Sequence, residues 1–424
     1  MQDYRNEIAL MGEKARHAAR FLRNKSTADK NALLKEIAES LIAHKEEIIA
    51  ANSIDVADAR GSGLKESMIE RLALTEQRFD EMVNGLLHVI TLEDPVGAVD
   101  GMWLNEAGLT IGSKRVPLGV IAMIYESRPN VTIDAAALCI KTGNAVILKG
   151  GSDALVTNQA LTKAVSKAIA KLNYPEGVVQ LVNTTDREFT KQLLSAKSAI
   201  DCVIPRGGAG LIQFVVEHSK VPMIETGIGN CHIFIDEEYD MESAIRIVEN
   251  AKVQRPGACN AVETVLVHRE NVKVLLPMLM KLAESGVTFA LCSESQSIVE
   301  ASSAKISWVP ATEDDWWAEY LDYKLAVKIV ENIHEAIQHI DHYSSGHSEA
   351  ILTNRYDHSK QFLDEVDSAA VYVNASTRFS DGGEFGFGAE IGISTQKLHA
   401  RGPMGLKALT TNKYIVYGNG QIRK

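Results

Sequence analysis

One cysteine stands out as a candidate nucleophile because it lies where regular structure breaks. Pro256 and Gly257 interrupt the chain just before Cys259, between a predicted helix at 241–252 and a predicted strand at 263–268. A thiol reacts as its thiolate, and a neighbouring cation such as Arg255 favours that form. Free cysteines are also often small buried core residues. The local sequence therefore leaves two interpretations of Cys259, a nucleophile in a cleft or a packing residue.

Other polar candidates follow predicted strands. Asn130 follows a strand as a neutral hydrogen-bond donor suited to an oxyanion, although it is also typical of a turn after proline. Glu225 ends a short predicted strand where a general base can act, and it also fits a cap or an ion pair. Histidines at 334, 339, 342 and 347 lack the spacing of a metal motif, so we predict no metal site.

Two glycine-rich turns are candidate anion sites. Lys149 ends a strand, and two glycines follow it before Ser152, so a positive charge stands next to a helix amino terminus. The same residues fit an ordinary turn in which Ser152 or Asp153 caps the helix. Gly207 and Gly208 lie where a dinucleotide would bind, but their spacing does not match G-x-G-x-x-G, and the motif signal is weak.

These residues are positioned by alternating strands and helices, which indicate parallel sheets covered by helices. The first set of predicted strands is 120–125, 145–149, 178–182, 200–204 and 223–225. The helices between them are 132–142, 153–171, 186–197 and 211–218. The second set of strands is 264–268, 287–291, 325–330, 350–353 and 370–374. Ligands bind beyond the carboxyl ends of such strands, so the residues that follow them are the candidates.

The remaining segments are predicted to support the two sheets. Residues 3–92 show helical periodicity and no chemistry, and we interpret them as a helical cover. Residues 102–116 alternate as a hairpin that is too short to fold alone. The β-rich tail at 410–418 is a candidate partner for this hairpin.

Composition limits the classes of function. The 424-residue chain has a net charge of −11, which gives no basic balance to attract nucleic acid or an anionic membrane. Its apolar runs are strand-sized, so we expect no membrane span. The five cysteines are odd in number, form no CxxC pair and fit a reduced cytoplasm. We expect a cytoplasmic protein of two or three domains that binds a small molecule.

The order of the strand-end residues resembles that of the aldehyde dehydrogenase superfamily. That order is Asn130, Lys149, the glycines at 207 and 208, Glu225 and Cys259. Within the superfamily, the chain is similar over its whole length to the branch that reduces L-glutamyl 5-phosphate. The segments that carry this similarity are PGACNAVET at 256–264, GIGNCH at 227–232, VENIHEAIQHIDHYSSGHSEAI at 330–351 and GFGAEIGISTQ at 386–396.

The resemblance implies an α/β fold with three functional parts. A Rossmann-type NADP-binding domain would comprise 1–98 and 118–228, and an α/β catalytic domain would comprise 229–400. A β oligomerisation arm would comprise 99–117 and 401–424, with the hairpin pairing with the C-terminal strand across a dimer. A homodimer or dimer of dimers is implied, together with a functional pairing with the glutamate kinase that supplies the substrate.

The resemblance also implies roles for single residues. Cys259 would be the nucleophile, and Asn130 with the Cys259 backbone N–H would hold the oxyanion. Lys149 would contact the cofactor ribose, and Gly207 and Gly208 would lie near its pyrophosphate.

The same resemblance implies roles in cofactor binding or catalysis for three further residues. Glu319 matches the glutamate that holds the nicotinamide ribose. Ser152 stands where NAD-preferring relatives often carry a glutamate, which favours NADPH. Glu225 matches the base that activates a hydrolytic water, a role that this reaction does not need, and we group it with the cofactor-binding residues.

The expected reaction is NADPH-dependent reduction of L-glutamyl 5-phosphate to the 5-semialdehyde in proline biosynthesis, through a Cys259 thioester. Local cations must hold this anionic substrate against the overall charge, and Arg128 and Arg255 are the candidates. Pairing of these arginines with Glu126 or Glu249 is the alternative. Two other functions remain open, a dehydrogenase that hydrolyses its thioester and a catalytically silent nucleotide-binding protein. Phosphate dependence and Cys259-dependent turnover distinguish them.

Overall fold

The computed structural model describes residues 3–423, apart from the side chain of Ser67, and the chain forms two compact units. The first unit runs through Thr226 and takes up Gly386–Gly392 and the residues from Met404 onward. The second unit comprises Gly227–Phe385 and Ile393–Pro403. The functional assignment of domains stays a prediction, because compactness does not assign a role.

The strands follow the predicted alternation in both units. In chain order they are β1 (Val99–Leu104), β2 (Thr110–Pro117), β3 (Val120–Tyr125), β4 (Ala145–Lys149), β5 (Val179–Leu181), β6 (Cys202–Arg206), β7 (Cys231–Ile235), β8 (Val262–His268), β9 (Thr288–Leu291), β10 (Trp308–Pro310), β11 (Lys324–Val330), β12 (Ser348–Leu352), β13 (Ala370–Val373), β14 (Ile393–Ser394), β15 (Gly402–Pro403) and β16 (Thr410–Tyr417).

The helices lie between these strands and at the start of the chain. They are α1 (Arg5–Leu22), α2 (Thr27–Ala43), α3 (Lys45–Gly61), α4 (Glu66–Leu72), α5 (Glu76–Thr91), α6 (Asn130–Lys141), α7 (Leu155–Lys171), α8 (Arg187–Leu194), α9 (Ala209–His218), α10 (Met241–Val253), α11 (Leu275–Glu284), α12 (Ser293–Glu300), α13 (Glu313–Trp317), α14 (Ile333–Tyr343) and α15 (Tyr356–Glu365). Within 3–423, none of them has both the length and the apolar character that a bilayer crossing requires.

The first unit contains a four-stranded parallel sheet in the order β5-β4-β3-β6. Every residue of β3 and β4 is buried, as expected for a parallel sheet with helices on both faces. Helices α2 and α3 pack on α7, and α2 and α5 pack on α6. The predicted helical cover is therefore confirmed.

Two local predictions in this unit were wrong. The strand predicted at 223–225 is a single bridge between Met223 and Val203, because Pro205, two residues further along β6, has no N–H to continue the pairing. Neither Ser152 nor Asp153 caps α7. Asp55 of α3 takes that role, accepting hydrogen bonds from the N–H groups of Val156 (3.3 Å) and Thr157 (2.7 Å), because a short 3₁₀ turn precedes the helix.

An antiparallel three-stranded sheet, β1-β2-β16, forms the hairpin region. Strand β16 pairs with β2 along its full length, from Thr410 opposite Pro117 to Tyr417 opposite Thr110. The predicted pairing of the tail with the hairpin is thus confirmed. The expectation that it joins two subunits was wrong, because both strands belong to one chain.

The second unit is built on a seven-stranded parallel sheet in the order β10-β9-β11-β8-β7-β12-β13. Strand β8 lies in the centre, and all seven of its residues are buried. Valine, isoleucine and leucine side chains of the sheet pack against α10 and α11 to form the main core of this unit. The chain that enters β8 is the loop that carries Cys259, so a rigid element fixes one end of that loop.

Candidate active site

Each unit carries its own group of candidate side chains, seven in the first and three in the second. The first group is Arg128, Asn130, Lys149, Ser152, Gly207, Gly208 and Glu225. The second group is Arg255, Cys259 and Glu319.

In the first unit, the loops that follow three neighbouring strands are tied together at one edge of the sheet. The Ser127 hydroxyl, after β3, donates to the Asp153 carboxylate, after β4. The Glu126 carboxylate accepts a hydrogen bond of 3.1 Å from the Gly208 N–H, after β6. This is the arrangement that parallel strands predict, since their carboxyl ends lie on the same edge.

The glycine turn after β6 already receives an anionic group from the protein. Gly208 caps the amino terminus of α9, where N–H groups point outward and favour negative charge. A Cβ added at Gly207 would lie 2.5 Å from the Glu126 Oε2, so a side chain there would displace the carboxylate. The turn is therefore a small anion-accepting cradle, and Glu126 occupies it here.

Asn130 is the first residue of α6, and its side chain is hydrogen-bonded to a partly buried carboxylate of the same helix. Its Nδ2 donates to the Asp134 carboxylate at 2.8 Å, one helical turn later. Burial raises the pKa of Asp134 to about 6, against the opposing influence of the nearby Arg206 guanidinium. This hydrogen bond uses one of the two amide protons of Asn130, fixes the orientation of the amide and leaves the second proton for another acceptor.

Lys149 is buried at the end of β4, and its Nζ donates to the Gly150 carbonyl oxygen at 3.1 Å. Within residues 3–423, no carboxylate forms an ion pair with it, and burial lowers its pKa. A buried ammonium with a single neutral acceptor is suited to a ligand that brings further oxygens. Ser152 is exposed three residues later, beside Asp153.

In the second unit, a buried ion pair closes the base of the nucleophile loop. Lys252, at the end of α10, lies 2.5 Å from Glu263, at the start of β8, and both side chains are fully buried. The other Glu263 oxygen accepts a hydrogen bond of 3.2 Å from the Leu321 N–H. One carboxylate thus fixes both ends of the loop and the segment that carries Glu319.

Cys259 is half-buried on this loop, and its backbone is closely packed. Its carbonyl oxygen accepts a weak hydrogen bond from the Cys231 thiol at 3.3 Å. A Cβ added at Gly229 would lie 1.6 Å from the same carbonyl oxygen, so only glycine fits there. The Gly229 N–H donates to Glu319 at 2.7 Å. Cys259, Gly229 and Glu319 are therefore brought together, which the sequence separation does not reveal.

Asn260, the residue after Cys259, is held by hydrogen bonds to the chain that follows β13. The Asn260 side chain donates to the carbonyl oxygens of Arg378 (3.2 Å) and Ser380 (3.0 Å). The backbone carbonyl oxygen of Asn260 accepts a hydrogen bond of 2.7 Å from the Thr377 hydroxyl. The short helical turn Thr377–Phe379 follows β13 and lies against the nucleophile loop. These contacts immobilise the backbone next to the thiol.

The same turn brings a second arginine to the loop. The Arg378 Nε donates to the Gln254 side chain at 2.7 Å, next to Arg255. The Arg378 charge interacts with the charges of both Arg255 and Cys259, and burial is the main cause of its lowered pKa. Glu249, which was the alternative partner for Arg255, pairs with Lys281 instead.

Three of the other cysteines are poor nucleophiles by position. Cys139, Cys202 and Cys231 are buried, and burial raises the pKa of each thiol, to about 12 for Cys202. Cys292 accepts a hydrogen bond of 3.4 Å from the Ile329 N–H. Within 3–423, no three His, Cys, Asp or Glu side chains are grouped to hold a metal, and buried His339 packs against Trp316.

Sequence reasoning missed four residues of these groups, Glu126, Asp134, Gly229 and Arg378. Arg378 follows the predicted strand 370–374 by four residues, so the rule of inspecting strand ends could have found it. Asp134 lies one helical turn after Asn130, which is also a readable signal. The contact between Gly229 and Cys259 has no sequence signal, because it depends on tertiary packing.

Proteins of known name match this chain over its whole length. The aldehyde dehydrogenase family model matches residues 2–289. A gamma-glutamyl phosphate reductase from Caldanaerobacter subterraneus subsp. tengcongensis is 54% identical over 419 residues, which cover 99% of this chain and 100% of the relative. One from Moorella thermoacetica is 53% identical over 419 residues, which cover 99% of each chain.

A solved structure matches the whole fold as well. The crystal structure of gamma-glutamyl phosphate reductase from Thermotoga maritima aligns with a TM-score of 0.95 at 49% identity, covering 99% of this chain and 100% of that one. The predicted aldehyde dehydrogenase-like α/β fold is confirmed by this match.

Proposed function

Because the chain belongs to the aldehyde dehydrogenase family and, within it, to the gamma-glutamyl phosphate reductases, we propose that it reduces L-glutamyl 5-phosphate to L-glutamate 5-semialdehyde, with release of phosphate, in proline biosynthesis. One observation carries the proposal, the identity of about half of all residues over 99% of the chain to reductases of that name.

Cys259 is the proposed nucleophile. Its thiolate sulfur forms a bond to the carbonyl carbon of the acyl phosphate, the carbon–oxygen bond to phosphate breaks, and phosphate leaves with the electron pair. A thioester on Cys259 results. The loop supports this role because the Lys252–Glu263 pair and the contacts of Asn260 hold it rigidly. A preorganised nucleophile avoids the entropic cost of positioning at each turnover.

Asn130 is the proposed oxyanion donor, together with the Cys259 backbone N–H. The hydrogen bond to Asp134 leaves one amide proton of Asn130 for the developing negative charge. The amide is held in one orientation before the reaction, so no reorganisation is needed when the charge appears.

The first unit supports binding of a nicotinamide cofactor. Lys149 offers a buried ammonium to the ribose oxygens, and the cradle at Gly207 and Gly208 offers a helix amino terminus to the pyrophosphate. The hydrogen bond between the Glu126 carboxylate and the Gly208 N–H shows that the cradle accepts negative charge. That carboxylate would have to leave the Gly208 N–H before a pyrophosphate could bind there. When bound, the cofactor supplies the hydride that reduces the thioester.

Two glutamates and one serine complete the proposed cofactor contacts. Ser152 is exposed and uncharged, which supports NADPH because a serine does not repel a 2′-phosphate. Glu319 is proposed to hold the nicotinamide ribose, and in the structure it accepts the Gly229 N–H. Glu225, just after the Met223 bridge, stays in the cofactor-binding group, since a reaction that avoids hydrolysis needs no base for water.

Arg128 and Arg255 are the proposed substrate-binding cations. Arg255 is exposed on the nucleophile loop, and within residues 3–423 it forms no ion pair. Arg128 is half-buried two residues before Asn130. An arginine fork donates two parallel hydrogen bonds to phosphate or carboxylate, which suits a substrate that carries both.

The decisive experiment oxidises glutamate 5-semialdehyde with NADP in the presence and absence of phosphate. We expect NADPH formation only with phosphate, because phosphate must attack the thioester in the reverse direction. Phosphate-independent formation of free glutamate would instead identify a hydrolysing dehydrogenase. The same assay with NAD in place of NADP tests the cofactor preference.

A cytoplasmic homodimer or dimer of dimers is proposed as the working form, with a glutamate kinase as functional partner. The sheet β1-β2-β16 supports self-association, because Trp103, Leu104 and Tyr414 are 47%, 70% and 73% exposed on it. Light scattering of the purified chain measures the subunit count. Coupled turnover with the kinase, compared with the two separate rates, tests the pairing.

A further inference from the structure

We propose that Arg378 joins Arg255 to form a two-arginine subsite that binds one anionic group of the substrate, either the phosphoryl group or the α-carboxylate. The inference rests on the proposed function, since it needs a substrate with such groups. It adds Arg378, which lies more than a hundred residues from the nucleophile loop in the sequence, to the residues that determine substrate binding.

Two anchor points place Arg378 along the nucleophile loop. Its carbonyl oxygen accepts the Asn260 side chain at 3.2 Å, next to Cys259. Its guanidinium reaches Gln254 at 2.7 Å, next to Arg255. The side chain therefore extends from one end of the segment 254–260 to the other, beside the thiol.

The charges of this subsite are not neutralised by the protein. Within residues 3–423, no carboxylate lies within ion-pair distance of Arg255 or Arg378. The Asp381 carboxylate acts on the charge of Arg378, and its Oδ1 accepts the N–H groups of Gly383 (2.8 Å) and Glu384 (3.4 Å). Arg378 thus uses one of five donors, on a neutral amide.

Two neighbouring guanidinium groups without carboxylate partners cost free energy unless an anion binds between them. Arg378 is half-buried, and both burial and the neighbouring Arg255 lower its pKa, which shows that each disfavours the charged form. Arg269, an arginine of the same unit, is arranged differently, since it pairs with Glu294 (2.8 Å) and Glu331 (2.6 Å). A phosphate or carboxylate between the two guanidinium groups would supply the missing acceptors.

The test is steady-state kinetics of semialdehyde oxidation for Arg378→Gln and Arg378→Lys. One series varies phosphate at saturating semialdehyde, and the other varies semialdehyde at saturating phosphate. We expect Arg378→Gln to raise one of the two KM values at least tenfold with kcat within about threefold, and Arg378→Lys to recover part of the loss. A raised KM for phosphate identifies the phosphoryl group, and a raised KM for semialdehyde identifies the α-carboxylate.

Two controls keep the proposal open to refutation. Gln254→Ala removes the hydrogen-bond partner of Arg378 without removing charge, and Arg269→Gln removes a paired surface charge. If Gln254→Ala reproduces the full effect of Arg378→Gln, Arg378 is only a structural clamp and the proposal is wrong. Unchanged KM values in a folded Arg378→Gln variant also overturn it.

If Arg378→Gln does not fold, calorimetry of inorganic phosphate binding to Arg378→Lys replaces the first series. An affinity equal to that of the unsubstituted protein overturns the phosphoryl assignment. Loss of phosphate dependence in the unsubstituted protein would refute the proposed function itself.

Discussion

The two regions that we propose bind anions differ in whether a carboxylate of the protein already occupies them. In the first unit, the helix amino terminus at Gly208 is already satisfied by the Glu126 carboxylate. In the second unit, Arg255 and Arg378 have no carboxylate partner among the described residues. The first region must release an internal anion before it accepts another, whereas the second is destabilised until an anion arrives.

This difference has a physical consequence for binding. An internally satisfied site is stable without ligand but weakens ligand affinity, because the ligand must replace a bond that already exists. A pair of unneutralised cations strengthens affinity for an anion at the expense of stability. Cofactor affinity should therefore depend on the Glu126 charge, and substrate affinity on the two arginines.

Cys259→Ser separates the two regions most clearly and should have the largest effect. We expect turnover to fall on the order of 10³-fold or more, since a hydroxyl without an adjacent base is a far weaker nucleophile than a thiolate. NADPH affinity, which we assign to the first unit, should stay within about twofold. Residual turnover above a few per cent, measured with glutamate semialdehyde and phosphate, would contradict the covalent mechanism.

Gly229→Ala tests whether close packing positions the nucleophile. The added methyl group would lie 1.6 Å from the Cys259 carbonyl oxygen, so the loop must move. We expect a loss of about 1–3 kcal/mol of unfolding free energy and a fall of about 10²-fold in kcat. Gly85→Ala is the matched control, because a Cβ there meets nothing within 4 Å. Equal behaviour of the two variants would show that the contact is not needed.

Sequence reasoning recovered the parts of this molecule that depend on local periodicity. Strands β3 and β4 have the predicted bounds, because buried parallel strands are continuous apolar runs. The strand predicted at 223–225 does not extend beyond one bridge, because Pro205 of β6 has no N–H to continue the pairing. The clamp of Asn260 by Thr377 and Ser380 joins residues 117 and 120 positions apart, and no local pattern encodes such contacts.

Asp134→Asn tests whether the amide of Asn130 is held for catalysis. Since burial raises the pKa of Asp134 to about 6, we expect kcat of the unsubstituted protein to fall as pH falls through 6, because protonation removes the negative charge that strengthens the hydrogen bond from Asn130. The variant should lose this pH dependence and be about tenfold slower at neutral pH. Asp364→Asn, an exposed carboxylate paired with Lys360, is the control. An unchanged pH profile in Asp134→Asn would contradict the positioning role.

Although Asp134→Asn is expected to lower kcat, it should increase the free energy of unfolding. A carboxyl group whose pKa is raised in the folded state destabilises the fold increasingly as pH rises from about 4 to about 6. Asp134→Asn removes that cost, so it should be more stable above pH 6 by on the order of 1–3 kcal/mol and unchanged near pH 4. Urea unfolding at the two pH values measures this difference.

Ser152→Glu tests the cofactor preference of the first unit. Asp153 adjoins Ser152 in the chain, and its charge acts on that of Asp55, so a glutamate would add a third carboxylate to this turn. We expect NADPH affinity to fall about tenfold, since like charges near a surface repel by on the order of 1–2 kcal/mol. NADH affinity should change little. Equal losses for both cofactors would show that Ser152 does not face a 2′-phosphate.

Glu126→Gln should have the smallest effect and bears most directly on the contrast between the two regions. Glutamine keeps a hydrogen-bond acceptor for the Gly208 N–H but removes the charge that competes with a pyrophosphate. A charge at a helix amino terminus is worth about 0.3–1 kcal/mol, so NADPH should bind about two- to fivefold more tightly. Glu217→Gln, at the other end of the same helix, should leave the affinity unchanged, since its carboxylate accepts a hydrogen bond from Gln213 at the carboxyl end of α9. Fluorescence titration with NADPH measures both variants. Weaker binding in Glu126→Gln would mean that the carboxylate supports the cofactor site rather than competing for it, and the proposed difference between the regions would be wrong.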